Sequence, residues 1–531
     1  MESKLNRPAA VAVSTDQQAK AEKPVAGVQS WLWQPNLIVF ISSGCIMILE
    51  LVAGRIIAPY VGVSLYTWTS IIGVVLAGIS LGNYLGGWLA DRRASLRFLG
   101  GIFILAGLTS FGVLAVDWLG GVTPDAWPIV IRIMLLTTLL FFVPCLILGT
   151  ISPVVAKLAV QDLAKTGITV GKIYAAGTAG SIVGTFATGF VLISWFGTHT
   201  IVWGVALVLL AMGLTFTLLQ RRALLLAAVA VIAAGSILAA YQGWLRGSCL
   251  RETNYFCIKV REEERDGEPV RILTLDRLVH SYTSLDNPTK LVYGYEQMYA
   301  EPTRSQAERD DQLRALFIGG GGYTFPRYME AVYPSSAIDV IEIDPGVTEV
   351  AYEWLGLSRN STIVTYNLDA RLFMQQPPRQ QYNLIIGDAF NDFSVPYHLT
   401  TREFNERVRA WLAPGGLYLV NIVDGGQANF LRAYTHTLGQ TFPYVYLAPT
   451  SAEWRESPRM TFVLIATDTP LDGATLQSIT AEDDEARLAG QLFSQAELAD
   501  FLAEGELVLL TDQYAPVDQL LTPVFRGEVV R

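Results

Sequence analysis

The chain has 531 residues, and 51% of them are hydrophobic. This length exceeds one ordinary domain, and the mean hydropathy of +0.35 indicates membrane segments. The formal net charge of −10 excludes a general nucleic-acid-binding protein. The charge is uneven, because residues 1–245 hold 14 Lys and Arg against 8 Asp and Glu, so they carry +6 and the rest carries −16. We expect a membrane half followed by an acidic, soluble half.

The first half contains the predicted membrane segments. Residues 1–30 are polar and lack the apolar region of a cleaved signal peptide, so we expect a disordered tail. Seven later stretches are apolar and long enough to cross a bilayer. They lie at about 36–58, 65–90, 98–119, 127–150, 173–195, 199–219 and 223–244. We therefore predict a multi-pass α-helical membrane domain of about seven transmembrane helices within residues 31–245.

The basic residues predict the orientation of these helices. They cluster in the tail and in every second connection, which places these segments on one side of the bilayer. The basic residues of this side are Lys4, Arg7, Lys20, Lys23, Arg92, Arg93, Arg97, Lys157, Lys165, Lys172, Arg221 and Arg222. Since basic connections favour the cytoplasm, seven crossings leave everything after about residue 245 outside the cytoplasm.

Two ionisable residues fall within the first span, where burial of a charge is unfavourable. Glu50 and Arg55 do not share a helix face, so we expect each to find a partner on another helix, with a transport role as the alternative. The stretch from Gly86 to Arg93 resembles a loop signature of major facilitator transporters. Seven spans are too few for a complete twelve-helix transporter of that kind.

The cysteines agree with an extracytoplasmic second half. Cys249 and Cys257 flank seven residues at its start, and we predict a disulfide between them, with two unrelated thiols as the alternative. Cys45 and Cys145 lie inside spans, where a thiol is usually a small buried hydrophobe. Because no His or further Cys lies near the first pair, no metal site is predicted.

The second half is organised around residues 316–344. A strand-like run, Leu316 to Ile318, is followed by four glycines, Gly319 to Gly322, and then by a helical stretch. Such a turn brings backbone N–H groups close to a ligand. Glu342 follows about 20 residues later at the end of the next strand, where a carboxylate can accept from both ribose hydroxyls. The pattern favours a nucleoside-type ligand over a simple tight turn.

Strands and helices alternate through this half, after a small antiparallel sheet predicted within 255–285. The strand-like runs are 314–318, 337–343, 362–366, 383–387, 416–423 and 460–467. This alternation predicts a mostly parallel sheet covered by helices on both faces. Ligands of such sheets bind at the carboxyl ends of the strands. Polar or glycine turns follow four of these ends: the glycines, Glu342 with Asp344, Asp369 to Arg371, and Gly387 to Phe390.

Several motifs in this half resemble one known family. They are LDRLVHSY at 275–282, YEQM at 295–298, the glycine run, EIDP at 342–345, DAR at 369–371 and GDAF at 387–390. Residues 255 to about 470 resemble the spermidine synthase family of aminopropyltransferases, and the whole chain resembles its membrane-fused members. The resemblance implies an α/β class I methyltransferase-like (Rossmann-like) fold at 291–531, preceded by the small β-sheet region at 246–290.

The resemblance also implies roles for individual residues. The donor, decarboxylated S-adenosylmethionine or S-adenosylmethionine itself, would be a co-substrate rather than a permanently bound cofactor. Its binding residues would be Gly319, Gly320, Gly321, Glu342, Asp369 and Ala370. The catalytic residues would be Asp388, which helps to deprotonate the attacking amine, and Tyr295, which positions it. The acceptor would be bound by His280, Asn391 and Asp392.

Four positions depart from the family pattern. The acid that follows three glycines and binds the donor's aminopropyl nitrogen falls on Gly322, and a second acid at the catalytic strand falls on Asn391. A family glutamine falls on His280, and the acid after the tyrosine falls on Gln297. These departures put the usual polyamine synthesis in doubt and affect nucleoside binding much less.

Three functions remain open from the sequence. The first is a membrane-anchored aminopropyltransferase-like enzyme that uses a polyamine or another amine, and the second is a methyltransferase-like enzyme. The third is a transporter or sensor that binds a nucleoside or polyamine without turnover. The expected partners are the lipid bilayer and small-molecule substrates, without nucleic acid, and formation of a homodimer is left open. One conflict remains, because sulfonium nucleosides are made in the cytoplasm, whereas the basic residues place the soluble half outside it. Either the soluble half is cytoplasmic, or the donor is exported, or the domain no longer performs the reaction of the family it resembles.

Overall fold

Seven long apolar helices form the first part of the chain. The computed structural model describes residues 34–124, 127–160, 162–218, 221–243, 245, 247–265, 267–310, 312–389, 395–471 and 488–526, so the predicted tail at 1–30 lies outside the described residues. The helices are long and apolar enough to cross a membrane. They are α1 (Pro35–Val61), α2 (Leu65–Arg93), α3 (Leu96–Val122), α4 (Ile129–Ala159), α5 (Leu163–Trp195), α6 (Thr198–Leu218) and α7 (Ala223–Tyr241).

Glycines set the distance between several of these helices. A Cβ atom at Gly82 of α2 would lie 2.2 Å from the Leu146 carbonyl oxygen of α4. A Cβ atom at Gly180 of α5 would lie 2.0 Å from the Phe40 carbonyl oxygen of α1. Because any larger side chain would separate these backbones, the two glycines permit the close helix packing that is common in membrane domains.

A four-stranded antiparallel sheet follows the helices. Its strands, in spatial order, are β1 (Arg251–Glu252), β2 (Cys257–Arg265), β3 (Glu268–Leu275) and β4 (Leu278–Ser284). The helix α8 (Gly294–Ala307) connects this sheet to the larger one and contributes the buried side chains of Tyr295, Met298 and Tyr299 to the core. The small sheet therefore lies directly before the larger sheet, as predicted from the sequence.

The larger sheet has seven strands in the order β10–β11–β9–β8–β5–β6–β7. Its strands are β5 (Arg314–Ile318), β6 (Ala337–Ile341), β7 (Val364–Tyr366), β8 (Tyr382–Gly387), β9 (Leu412–Asp424), β10 (Tyr444–Pro449) and β11 (Met460–Thr467). The strands from β7 to β9 pair in parallel, whereas β10 and β11 pair antiparallel at one edge. This is the mostly parallel sheet predicted from the alternating pattern, in the Rossmann-like arrangement that the family resemblance implies.

Helices connect and cover the strands of this sheet. They are α9 (Thr324–Val332), α10 (Pro345–Trp354), α11 (Ala370–Phe373), α12 (Arg402–Trp411), α13 (Asn429–Gly439), α14 (Leu488–Gln491), α15 (Gln495–Ala503), α16 (Val517–Leu520) and α17 (Thr522–Arg526). The central strands are almost entirely apolar and buried, for example β5 with Ala315 to Ile318 at 2% exposure or less. Continuous apolar strands of this kind require cover on both faces.

The helical part and the C-terminal domain meet at the segment that leads into β2. The Arg55 guanidinium of α1 donates to the Asn254 carbonyl oxygen at 2.6 Å and to the Thr253 carbonyl oxygen. Glu252 accepts from the Thr198 backbone N–H at 2.8 Å, at the start of α6. The expectation that Arg55 pairs with another helix is therefore wrong, because both terminal nitrogens of the guanidinium bind this backbone segment. Cys249 and Cys257 form the predicted disulfide across the same segment, with their Cα atoms 5.4 Å apart.

Candidate functional site

The carboxyl ends of β5, β6 and β8 border one cleft, which we call the glycine cleft. It has a volume of about 360 Å³. Its lining includes most of the predicted donor-binding residues together with aromatic side chains from the small sheet and from the loop after β8. These residues include Tyr255, Phe256, Gly319, Gly321, Glu342, Asp369, Ala370, Asp388 and Tyr397. Parallel strands end at the same edge of a sheet, and this geometry brings together turns that are far apart in sequence.

Glu342 is tied to the glycine turn. Its Oε2 atom accepts from the N–H groups of Gly320 at 2.8 Å and Gly321 at 3.3 Å, and its Oε1 atom accepts from Asp344 N–H at 2.9 Å. Burial raises the pKa of Glu342, and the hydrogen bonds from Asp344, Gly320 and Gly321 oppose that shift. A carboxylate oxygen has two lone pairs, so Oε1, which accepts one hydrogen bond, can still accept from a ligand, whereas Oε2 already accepts two.

Asp369 lies on the other side of the cleft, at the start of α11. Its Oδ1 atom caps the helix by accepting from Leu372 N–H at 2.9 Å. Its Oδ2 atom lies 3.2 Å from Nε2 of His398, which also borders the cleft. These two contacts fix the orientation of the Asp369 carboxylate, and one of its edges faces the cleft. An exocyclic amine group of a ligand needs a hydrogen-bond acceptor held in this way. Ala370 follows it and is buried in the lining.

The last glycine of the turn is packed against the small sheet. A Cβ atom at Gly322 would lie 1.9 Å from Ser281 Oγ and 3.1 Å from Thr283 Oγ1. Ser281 and Thr283 are both buried in β4, and Thr283 Oγ1 makes a 2.8 Å hydrogen bond with Thr324 Oγ1. The position at which the resembled family carries an acid is therefore filled by hydroxyl groups of β4. An acid could not be restored here without removing them.

We expect Gly322→Ala to destabilise the chain by about 1–3 kcal/mol, because the added methyl group has no space beside Ser281. Thermal unfolding of the two purified proteins would measure the change. The double variant Gly322→Ala/Ser281→Gly should recover most of the loss, since it removes the clashing hydroxymethyl group. Full stability of the single variant would show that the turn and β4 are not packed in this way.

Asp388 is the centre of a second group of contacts. Its Oδ2 atom accepts from the Tyr295 hydroxyl at 2.9 Å, and its Oδ1 atom accepts from Asn421 Nδ2 at 2.8 Å. Burial raises the pKa of Asp388, and these two hydrogen bonds act against that shift. Burial also raises the pKa of Tyr295 well above its ordinary value, so its hydroxyl stays protonated and donates. The structure thus brings together the two predicted catalytic residues.

Asp388 and Tyr295 also line a smaller cavity of about 230 Å³, which we call the tyrosine cavity. Its lining includes His280, Tyr293, Tyr295, Asp388, Asn421, Thr450, Arg459 and Thr461. Asp388 and His280 border both spaces, and so form the wall between the glycine cleft and the tyrosine cavity. Two ligands bound on either side of this wall would meet at the Asp388 carboxylate.

His280 is uncharged at neutral pH in this environment. Burial, and secondly the nearby positive charge of Arg459, lower its pKa to about 4. Its Nε2 atom is buried and has no hydrogen-bond partner among the described residues. His280 can therefore offer a neutral imidazole nitrogen to a ligand of either space, in line with its predicted role in substrate binding.

Three contributors to the site were missed in the sequence. Asn421 lies inside the apolar strand β9. A single polar residue within this apolar run was the feature of the sequence that could have indicated its role. Glu296 follows Tyr295 and is buried at 3% exposure, and burial with the nearby Asp388 charge raises its pKa well above the ordinary value. Arg459 is the residue directly before β11, and it also lines the cavity. No local sequence pattern indicated this position.

The other predicted positions have different outcomes. Gln297 donates from Nε2 to the Leu291 carbonyl oxygen at 2.8 Å and so fixes the loop before α8 instead of facing Asp388. Gly320 contributes its N–H group to Glu342. Asn391 and Asp392, predicted to bind the acceptor, lie outside the described residues.

Known proteins resemble the C-terminal domain over part of their lengths. A probable polyamine aminopropyl transferase of Bifidobacterium longum is 30% identical over 166 residues, covering 31% of this chain and 35% of that protein. The human eEF1A lysine and N-terminal methyltransferase is 28% identical over 157 residues, covering 27% of this chain and 22% of that protein. The chain thus spans about a third or less of the length of these relatives.

A solved structure is also similar to the chain. The probable spermidine synthase of Corynebacterium glutamicum is 23% identical with a TM-score of 0.44, covering 48% of this chain and 93% of that one. No family model matches the chain.

Proposed function

We propose that the C-terminal domain, which belongs to the spermidine synthase family, transfers an aminopropyl group from a decarboxylated S-adenosylmethionine-type donor to an amine. The observation that carries this proposal is the position of Asp388 between two separate spaces. The glycine cleft offers Glu342 and Asp369 to a nucleoside, and the tyrosine cavity offers room for a second, smaller molecule. A carboxylate on their common wall suits a transfer between two bound ligands better than simple binding of one.

The chemistry uses the groups at this wall. The free amine nitrogen attacks the donor carbon attached to the sulfonium, the new N–C bond forms, and the C–S bond breaks with its electrons passing to sulfur. An amine with a pKa near 10 is mostly protonated at neutral pH, so it must first lose a proton. The Asp388 carboxylate attracts the ammonium group and accepts its proton, and the Tyr295 and Asn421 hydrogen bonds hold the carboxylate in place.

The direct test is calorimetric titration of the purified chain with decarboxylated S-adenosylmethionine, S-adenosylmethionine and methylthioadenosine. Mass spectrometry would then identify products formed with amines present. We expect nucleoside binding and an aminopropylated product. Binding without any product would favour the sensor or transporter alternative, and absence of all nucleoside binding would refute the function proposed for the glycine cleft.

A second candidate is transfer of a methyl group from S-adenosylmethionine. The packing of Gly322 against Ser281 favours it, because the acid that would bind an aminopropyl nitrogen has no space at this position. The partial similarity to a protein methyltransferase is consistent with it. The same titration distinguishes the two, since a methyltransferase would bind S-adenosylmethionine in preference to its decarboxylated form and give a methylated amine.

We also propose that α1 to α7 anchor this domain in a lipid bilayer. The most apolar segment of α7 is 6% buried within the protein, and that of α5 is 22% buried. Helices of this hydropathy would otherwise expose large apolar surfaces to water, which monomeric proteins rarely do. The alternating basic connections and the Cys249–Cys257 disulfide support placement of the C-terminal domain outside the cytoplasm.

Single introduced cysteines would test this orientation. Glu264→Cys places an exposed thiol on β2, and Arg93→Cys places one at the end of α2. In intact cells we expect an impermeant thiol reagent to label the Glu264→Cys protein only, and to label the Arg93→Cys protein after lysis. The buried Cys45 and Cys145 provide the unlabelled background in the unsubstituted chain. The reverse pattern would place the domain in the cytoplasm and remove the conflict over donor supply.

A further inference from the structure

The charges that line the tyrosine cavity differ from those that a diamine requires. Asp388 is the carboxylate of the described lining, and Arg459 is a guanidinium in the same lining. A diamine has a positive group at each end, so its second ammonium would lie in a small space with Arg459. Like charges brought together in a partly buried site repel strongly, because little water screens them.

The Arg459 charge acts within the cavity. It contributes to the low pKa of His280. Burial raises the pKa of Tyr293, whose ring forms another part of the wall, and the Arg459 charge opposes that rise. Arg459 already has an interaction partner, and a guanidinium with five N–H donors can serve a ligand as well. Its planar fork is suited to bind a carboxylate through two parallel hydrogen bonds.

Uncharged polar groups complete the surroundings. Next to Arg459 in the lining are the hydroxyl group of Thr461 and the unpartnered, buried Nε2 atom of His280. Neutral donors of this kind strengthen the binding of an anionic group without adding further charge. The volume of about 230 Å³ lies below the roughly 300–1,000 Å³ of drug-sized sites, so the ligand must be small.

We propose that the acceptor of this site is a small amine that also carries a carboxylate, with its amine at Asp388 and its carboxylate at Arg459. This inference rests on the proposed transfer function and names the class of its second substrate. It makes Arg459 a residue that determines specificity, and it explains how a site without the family's further acids can still bind an amine. A zwitterionic acceptor matches both charges of the cavity, whereas a diamine matches one.

Three amines of equal length test the proposal. They are 1,4-diaminobutane, 4-aminobutanoate and 1-aminobutane, which differ in having a second ammonium, a carboxylate or no charge at the far end. Their binding to the full chain would be measured by calorimetry in the presence of methylthioadenosine, and their products by mass spectrometry with decarboxylated S-adenosylmethionine. We expect 4-aminobutanoate to bind to the unsubstituted protein at least tenfold more tightly than 1,4-diaminobutane. This first comparison requires no variant.

Variants at Arg459 extend the test. Arg459→Met should reduce 4-aminobutanoate binding to the level of 1-aminobutane, and Arg459→Glu should reverse the order of the two charged ligands. Arg455→Met is a matched control, because Arg455 lies outside the cavity in an ion pair with Glu504 and loses the same charge. The Arg455→Met protein should bind the three amines in the same order of affinity as the unsubstituted protein.

Two results would overturn the proposal. One is tighter binding of 1,4-diaminobutane than of 4-aminobutanoate by the unsubstituted protein, and the other is a ranking that Arg459→Glu leaves unchanged. The proposed function has a separate outcome. If the ranking holds in the binding assay but no amine yields a product, the transfer function fails while the assignment of the cavity's ligand stands.

Discussion

Asp388→Asn is expected to reduce the rate of group transfer by about 10²–10⁴-fold, the range typical for loss of a positioned general base. The amide has the same shape as the carboxylate but neither attracts an ammonium group nor accepts its proton. Steady-state kinetics with a mass-spectrometric product assay would measure the change. Nucleoside affinity should change little, because Glu342 and Asp369, the proposed donor-binding residues, lie elsewhere in the cleft. A rate that stays within a few-fold of the unsubstituted protein would remove Asp388 from catalysis.

Tyr295→Phe is a milder change that affects the same carboxylate, because it alters one hydrogen bond to Asp388 and leaves Asp388 itself in place. It removes the 2.9 Å hydrogen bond to Asp388 Oδ2 and leaves the ring in the tyrosine cavity. That hydrogen bond stabilises the charged carboxylate and lowers its pKa, so its loss should raise the pKa of Asp388 further. The acidic limb of the pH–rate profile should consequently move to higher pH. Asp388→Asn should abolish this limb, which a purely structural role of the aspartate would not explain.

The sequence was sufficient to predict which turns meet at the glycine cleft because these turns lie at regular places in a parallel sheet. The glycine turn, Glu342, Asp369 and Asp388 each follow a strand, and adjacent parallel strands end at one edge. A run of glycines after an apolar strand is a local pattern. It can be recognised in the sequence without knowing which residues are in contact in the folded protein.

Other residues of the tyrosine cavity and of the turn could not be predicted in the same way. Asn421 projects from within β9, and Arg459 lies before an antiparallel strand whose position depends on the order of the whole sheet. Gly322 appeared in the sequence as a missing acid, whereas the structure shows a position filled by Ser281 of the small sheet. These contacts join segments that are far apart in the chain, so packing and not local periodicity determines them.

The contact of Arg55 illustrates the same limit in the helical part. Helical periodicity predicts which face a residue occupies and gives no information on the segment that covers this face. The guanidinium binds backbone carbonyl groups 198 and 199 residues later in the chain. The segment that it binds also supplies Thr253, which donates to Asp344, two residues after Glu342. The helical part is therefore connected through three residues to the glycine cleft.

Glu342→Gln is expected to weaken nucleoside binding by about 10–100-fold, equivalent to roughly 1.4–2.8 kcal/mol. The carboxylate accepts from the N–H groups of Gly320, Gly321 and Asp344 with both of its oxygens. An amide has one oxygen, so its NH₂ group must face at least one of these donors, and the turn loses its shape on that side. Calorimetric titration with methylthioadenosine would measure the loss.

The control for this change is Glu349→Gln, which removes the same charge from the exposed side of α10, where Glu349 pairs with Arg359. It should leave nucleoside affinity unchanged, because exposed ion pairs contribute little and Glu349 does not border the cleft.

Protonation provides an independent check on Glu342. Burial raises its pKa, and the protonated carboxyl loses acceptor capacity, so affinity in the unsubstituted protein should fall as the pH falls through this pKa. Glu342→Gln should lack that pH dependence, and equal affinities and pH profiles in all three proteins would mean that the nucleoside binds elsewhere.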